Sequence, residues 1–122
     1  MNFDAGRSIY EQIVEYIQNQ VLTGAWKPDD RIPSVRELAV ELGVNPNTVQ
    51  RSYSLLQDDG AIYNQRGVGY FVASEAPDRT RTLRREAFER QTLPRVFETM
   101  DIIGYSLQDV ESAWQTWKEQ QS

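Results

Sequence analysis

The chain has 122 residues, 39% of them hydrophobic, and carries 18 acidic against 13 basic side chains, a net charge of -5. This length suits one domain or a smaller domain with an appendage, and the net charge argues against a generic basic nucleic-acid binder. Cysteine and histidine are both missing, which removes disulfides, thiolate metal sites and the commonest general base. The composition therefore disfavours an enzyme and predicts neither a cofactor nor a metal.

No apolar run approaches the roughly 20 residues of a membrane span, and the amino terminus lacks the basic and apolar regions of a signal peptide. We therefore expect a cytoplasmic protein without a membrane partner. Neither residues 1–75 nor residues 76–122 are basic on balance, so any surface for nucleic acid must be local.

The first predicted helix runs from about Ser8 to Thr23, where isoleucine and valine recur every four residues. Ser8 can cap its start, and Gly24 can end it in a left-handed conformation. Two prolines in the next eight or so residues predict a loop, with Trp26 packed against the core.

A second helix is predicted to begin at Ser34, because Ser34 to Glu37 fits the capping box S-x-x-E. Gly43 permits the turn that ends it. Asn45 then offers a cap, the proline after it stands where a missing amide hydrogen costs nothing, and a third helix runs to about Asp58.

After the third helix the apolar period changes. Residues 62–65 and 70–73 form two short runs that contain aromatic and β-branched side chains. Two glycines lie between the runs, which predicts a β-hairpin. Residues 74–78 contain a proline and look like a domain boundary.

The remaining chain is predicted to be helical. A charged segment from about residue 79 to 103 has Pro94 in its middle, which should kink or break the helix. Gly104 stops this segment, and Ser106 begins a second capping signature before a last helix to about Gln120.

The spacing inside residues 36–56 predicts a helix-turn-helix. Two helices that cross steeply over a short turn need a small residue at their closest approach, and Ala39 stands four residues before Gly43. A wheel at about 100° per residue divides the third helix into two faces. The inner face holds Val49, Ser52, Tyr53 and Leu56, and the outer face holds Asn47, Gln50, Arg51 and Ser54.

This outer face is polar and free of acids, as the floor of a DNA major groove requires. Arginine pairs with guanine, and asparagine or glutamine pairs with adenine. A polar face is also what any exposed helix shows, so the cap, the turn and the hairpin are what favour DNA binding over an ordinary solvated helix.

Three arginines outside the third helix are further candidates. Arg66, beside Gly67 at the hairpin tip, can follow a phosphate strand or enter a minor groove, although it also fits an ordinary charged turn. Arg36 stands in the first turn of the second helix, where amides and a guanidinium can hold one phosphate. Arg31 is weaker, because Asp29 and Asp30 can neutralise it.

Residues 9–72 resemble the winged-helix DNA-binding domain of the GntR family of bacterial transcription regulators. The resemblance rests on the motifs P-S-x-R-E-L-A, L-G-V-N-P-N-T-V-x-R and G-x-G-x-F-V. It departs at Asp29, where the family usually has glycine, and at Ser52, which is often alanine. By resemblance the residues that touch DNA are Arg36, Asn45, Pro46, Asn47, Thr48, Gln50, Arg51, Arg66 and Gly67.

The segment after the hairpin is too short for an effector domain or an aminotransferase-like domain, and it is similar to the YtrA-type branch, whose members dimerise through this tail. Independently, apolar residues of the last helix follow the spacing of a coiled-coil seam, which must pack on a partner, on its own chain or on both. The predicted dimerisation residues are Phe88, Phe97, Leu107, Val110, Trp114 and Trp117.

The predicted fold is mainly α, a three-helix winged helix-turn-helix with a β-hairpin wing, followed by a two-helix extension. Residues 1–75 would be the DNA-binding domain and residues 76–122 the helical dimerisation extension. The predicted function is a dimeric repressor that binds a two-fold symmetric DNA operator. The alternative is a winged helix used as a protein-interaction module, and a small-molecule effector stays open.

Overall fold

The computed structural model describes the whole chain, from Met1 to Ser122. Six α-helices, two strands and one π-helical segment follow each other in the order α1, α2, α3, β1, β2, α4, π segment, α5 and α6. The chain divides into two compact units, Met1–Leu83 and Arg84–Ser122. None of the helices combines the length and the apolar character that crossing a membrane takes.

Helix α1 spans Ile9–Leu22 and has the predicted ends. The hydroxyl of Ser8 accepts a hydrogen bond of 3.1 Å from the amide of Glu11, which satisfies one of the free amides of the first turn. Gly24 has a φ of 81° just beyond the end. The rings of Trp26 and Tyr16 meet in a T-shaped arrangement with centres 6.3 Å apart, so the predicted place of Trp26 against the core is confirmed.

Helices α2 (Val35–Leu42) and α3 (Pro46–Asp58) form the predicted helix-turn-helix. Ser34 and Glu37 make both hydrogen bonds of the capping box. Gly43 takes the left-handed conformation, with a φ of 69° and a ψ of 40°, which lets the chain reverse without steric penalty. The local signals therefore fix where both helices begin and end.

Strands β1 (Ile62–Gln65) and β2 (Gly69–Val72) pair antiparallel. The second strand begins one residue earlier than predicted, because Gly69 already pairs with Gln65. On its other edge β2 receives the loop before α2, through a bridge between Arg31 and Phe71. Both edges of β2 are thus partly covered, and the hairpin is fastened to the loop that leads into α2.

The core of the first unit lies between α1, α2, α3 and the hairpin. Each fully buried aliphatic side chain there contributes roughly 1.5 to 3 kcal/mol relative to exposure. This arrangement is a winged helix, as the sequence predicts. The large side chains that are fully buried are Ile13, Ile17, Leu38, Val49, Tyr53, Leu56, Ile62 and Val72.

Helix α4 (Ala76–Ala87) begins inside the segment that the sequence marks as a boundary. Pro77 lies in its first turn, where proline is tolerated because the amide there has no helical partner. Ala76 and Thr80 are buried in the first unit. For this reason the division between the compact units falls inside α4, later than the predicted division after residue 75.

The second unit contains a π-helical segment (Phe88–Thr92), α5 (Leu93–Ile103) and α6 (Leu107–Gln120). The predicted break at Pro94 is confirmed, because α4 ends at Ala87 and Pro94 occupies the first turn of a new helix, α5. The amide of Leu93 donates to the carbonyl of Phe88, five residues back, because the proline ring and its missing donor prevent a regular turn here. The capping box of Ser106 and the end at Gln120 are confirmed.

Candidate nucleic-acid interface

Helix α3 presents the two faces that its sequence predicts. The side chains of Val49, Ser52, Tyr53 and Leu56 are all 0% exposed. Those of Asn47, Gln50, Arg51 and Ser54 are exposed on the opposite side. The helix therefore offers solvent a polar surface with donors and acceptors that can reach base edges.

The amino-terminal end of α3 is the electropositive end of this surface. No acid lies in its first turn. Asn45 caps the helix by accepting from the amide of Asn47 at 2.8 Å, and Pro46 occupies the first position. The helix dipole and the free amides favour an anion here, such as a DNA phosphate. The exposed Asp58 lies two turns beyond Arg51, so the acid on this side is confined to the far end of the helix.

Two hydroxyl groups lock α3 to the rest of the unit. The single hydroxyl proton of Ser52 is shared between two carbonyls, that of Thr48 at 3.0 Å, the back-bond expected for a serine on this packed face, and that of Tyr10 at 3.1 Å. Tyr53 donates its hydroxyl to the carbonyl of Pro33 at 2.6 Å. No buried side-chain polar atom in the chain lacks a partner. Because every buried polar side-chain atom has a hydrogen-bond partner, the outer face of α3 is held in a defined orientation.

Arg51 does not extend freely into solvent. Its guanidinium lies over the ring of Tyr10, 4.0 Å from the ring centre, in a cation–π contact between α3 and α1. The wheel places Arg51 on the outer face but carries no information about this partner. Tyr10 is thus a residue of the candidate interface that sequence reasoning missed.

Arg36 lies exposed in the first turn of α2. Its acidic neighbour Glu37 is engaged by the capping box, where the amide of Ser34 donates to Glu37 at 2.9 Å. The backbone and hydroxyl hydrogen bonds of Ser34 hold the pKa of Glu37 below its usual range. Arg36 itself has no ion pair, so its charge is available to a phosphate.

The tip of the wing is exposed to solvent, and Arg66 there forms no ion pair. Arg66 and Gly67 are exposed, and Gly67 has a φ of 79° with no atom near the position of a Cβ. At the base of the wing the rings of Tyr63 and Phe71 stack with centres 5.5 Å apart. A glycine at the tip lets the backbone approach a groove closely.

Arg31 differs from the sequence interpretation. It forms no ion pair with Asp29 or Asp30. Asp29 accepts from Tyr63, and Asp30 accepts from the amide of Lys27. Its guanidinium instead lies beside Gly69 of the wing. Arg31 therefore adds a positive charge at the wing rather than being neutralised in the loop.

The predicted site residues of α2, α3 and the wing all belong to the first compact unit. Across the chain, no three acidic side chains come together as a group that could hold a metal ion. The chemistry that this surface provides is hydrogen bonding and positive charge, which suits a phosphodiester duplex.

The second unit exposes the residues predicted for dimerisation. Leu107 is 76% exposed, Trp114 57% and Trp117 51%. Phe88, Phe97 and Val110 are exposed as well. An open groove of about 640 Å³ on α5 is lined in part by Arg95, Val96 and Tyr105. Large apolar side chains exposed next to each other, as Trp114 and Trp117 are on α6, are typical of interaction surfaces.

Comparison with known proteins gives a consistent result. The family model described as "Bacterial regulatory proteins, gntR family" matches residues 9–72. The uncharacterized HTH-type transcriptional regulator YhcF of Bacillus subtilis is 31% identical over 96% of this chain and 95% of its own length. The HTH-type transcriptional repressor YtrA of the same organism is 44% identical, over 56% of this chain and 52% of YtrA.

Solved structures agree with these relatives. A GntR-family transcriptional regulator from Bacteroides thetaiotaomicron has a TM-score of 0.75 and 39% identity, covering 94% of this chain and all of that one. The DNA-binding domain of AraR in complex with operator ORX1 has a TM-score of 0.53 and 31% identity, covering 59% of this chain and 93% of that one.

Proposed function

The chain belongs to the gntR family of bacterial regulatory proteins and is a DNA-binding transcription regulator, and we propose that it acts as a dimeric repressor of a two-fold symmetric operator. The observation that carries the proposal is the acid-free amino-terminal half of α3, on which Asn47, Gln50 and Arg51 are exposed. In the same compact unit the wing exposes Arg66, which has no ion pair. Helix α3 would read the major groove, and the wing would follow the adjacent backbone.

The hydrogen-bonding groups of each side chain indicate which part of the DNA it would contact. Asn47 and Gln50 carry amides that can pair with adenine, and Arg51 carries donors for guanine or phosphate. Asn45, Pro46 and Thr48 place the helix end against a phosphate. Arg36, Arg66 and the backbone at Gly67 supply contacts that position the protein without reading sequence.

Dimerisation through the second unit supports the two-fold operator. Helix α6 has 14 residues and buries none of them, and helices this short are marginal in isolation. A second copy would cover Phe88, Phe97 and the aromatic face of α6. Joining two half-site contacts raises the effective affinity well above that of either, by about 10² to 10⁴.

Repression, a cytoplasmic location and the lack of enzymatic activity are parts of the same proposal. Relatives such as YtrA are named as transcriptional repressors, and none of the chemistry at the interface calls for a catalytic group. The alternative of a protein-interaction module is not favoured by the family membership. A small-molecule effector stays a prediction: the groove on α5 falls in the size range of ligand pockets, about 300 to 1,000 Å³, but is open to solvent.

The test is selection of bound duplexes from random DNA, followed by fluorescence anisotropy on the selected site across a salt series. We expect an inverted repeat, with half-sites separated by one or more turns of about 10 base pairs. Gln50→Ala should reduce discrimination against mismatched sites, and Arg66→Ala should weaken binding to all duplexes and lower the salt slope by about one. Gln57→Ala, two turns further along α3, is the matched control.

Recovery of no enriched sequence, together with undetectable binding to any duplex at low salt, would overturn the proposal. Enrichment of a single asymmetric site would overturn the dimeric form alone.

A further inference from the structure

Tyr10, near the start of α1, contacts two consecutive residues of α3. Its ring lies under the guanidinium of Arg51 at 4.0 Å, and its carbonyl accepts from Ser52 at 3.1 Å. The ring is half-buried and packs against the core. Because Ser52 is fully buried and ties the two helices together, the ring of Tyr10 has a fixed place relative to the outer face of α3.

The contact leaves Arg51 able to bind. A guanidinium is planar, and its five N–H donors lie in that plane, so stacking on a ring occupies one face and leaves the donors at the edge free. No carboxylate pairs with Arg51. The side chain of Arg51 is therefore held by the ring of Tyr10 and has no ion-pair partner in the protein, so its donors are available to a DNA acceptor.

We infer that Tyr10 is a positioning residue for DNA binding, which holds Arg51 in the orientation that donates to the duplex. A free arginine must lose its side-chain rotational freedom when it binds, whereas one already held by a ring has lost much of it beforehand. The inference rests on the proposed function, since it requires that α3 faces DNA. The gain expected from a cation–π pair at an exposed site is about two- to fivefold in operator affinity.

A double-mutant cycle on the selected operator tests this inference. Tyr10→Leu removes the π face but keeps an apolar side chain, and Arg51→Ala removes the cation. We expect Tyr10→Leu to weaken operator binding about two- to fivefold in the otherwise unchanged protein, and to have no further effect when combined with Arg51→Ala. Tyr10→Phe keeps the ring and should keep the full coupling to Arg51. Thermal unfolding of each variant separates loss of binding from loss of fold.

A measurement on the unmutated protein gives an independent answer. The ring current of Tyr10 should shift the Nε proton of Arg51 upfield in the NMR spectrum, and this shift should persist in the operator complex. Loss of the shift on binding would mean that Arg51 leaves the ring, which contradicts positioning. An equal effect of Tyr10→Leu with and without Arg51 would also contradict it.

Failure of the inference is distinguishable from failure of the proposed function. If Arg51→Ala leaves operator affinity unchanged while the protein still binds its selected site, the role of Arg51, and with it that of Tyr10, is wrong. If the protein selects no site at all, the proposed function itself is wrong.

Discussion

The hydroxyl of Tyr53 donates a 2.6 Å hydrogen bond to the carbonyl oxygen of Pro33. The same ring is fully buried and meets Tyr70 of the wing edge-on, with ring centres 4.9 Å apart. One side chain of α3 thus joins the loop before α2 to the second strand of the hairpin. The two elements that flank α3 at the candidate interface are held in place through this residue.

Replacing Tyr53 by phenylalanine should lower the free energy of unfolding by about 1 to 2 kcal/mol. The ring still fills its site, but the carbonyl of Pro33 loses its donor in a partly buried place. Urea unfolding followed by circular dichroism measures the change. Ser54→Ala is the matched control, because the exposed Ser54 bonds only back to Gln50 of its own helix and its loss should be nearly neutral. Equal stability of Tyr53→Phe and the unmodified protein would show that the hydrogen bond contributes nothing net.

The same residue predicts a pH dependence. Burial raises the pKa of Tyr53 above its ordinary value of 10.0. Tyr53 therefore ionises less readily in the folded state than in the unfolded state. Its contribution to the free energy of unfolding is fully present below pH 10.0 and falls as the pH rises above that value. The free energy of unfolding should decline between about pH 10 and pH 11, and less steeply in Tyr53→Phe. Identical slopes for the two proteins would contradict this assignment.

The sequence predicts those features whose cause is local. Capping boxes, glycines with positive φ and the period of apolar residues each act within a few positions of the chain, so the ends of α1, α2, α3 and α6 agree with the structure. The start of α4 lies in a segment that the sequence marks as a boundary, and the burial of Ala76 and Thr80 there is not visible in the local pattern. Pro94 likewise predicts a break in the helix, but it does not predict that the residues ahead of it form a π-helical segment.

The candidate site likewise depends on contacts that local sequence signals do not predict. A wheel assigns Arg51 to the outer face of α3, but its partner Tyr10 lies in another helix and cannot be found from periodicity. Arg31 moves to the wing because the loop pairs with β2. The missing information in both cases is which side chains meet across the fold, and no composition or spacing rule supplies it.

Asp29 is the only residue other than glycine with a positive φ, at 68°. Asp29→Gly should raise the free energy of unfolding by about 0.5 to 1 kcal/mol, because glycine adopts this conformation without the steric penalty of a Cβ. The exposed hydrogen bond from Tyr63, at 3.2 Å, offsets only part of that gain. Asp29→Ala should be destabilising, since it keeps the strain and loses the acceptor. Thermal unfolding of both variants checks the prediction, and Asp30→Gly at the neighbouring position is the control. An Asp29→Gly protein that is less stable than the unmodified protein would refute the prediction.

Trp117 on α6 tests whether the second unit joins two chains. The side chain is 51% exposed and stacks at a tilt with Trp114, the ring centres being 5.8 Å apart, so a partner would bury a two-ring surface. Trp117→Ala should convert the protein to a monomer in sedimentation velocity and lower its affinity for the full operator by at least tenfold, because the two half-site contacts are no longer joined. Its affinity for an isolated half-site should not change, since α3 belongs to the other compact unit. Gln115→Ala, on the same helix, should leave both quantities unaltered. A Trp117→Ala protein that remains dimeric would place the interface elsewhere. Equal losses of affinity for the half-site and for the full operator would mean that Trp117 supports the DNA-binding unit instead of the dimer.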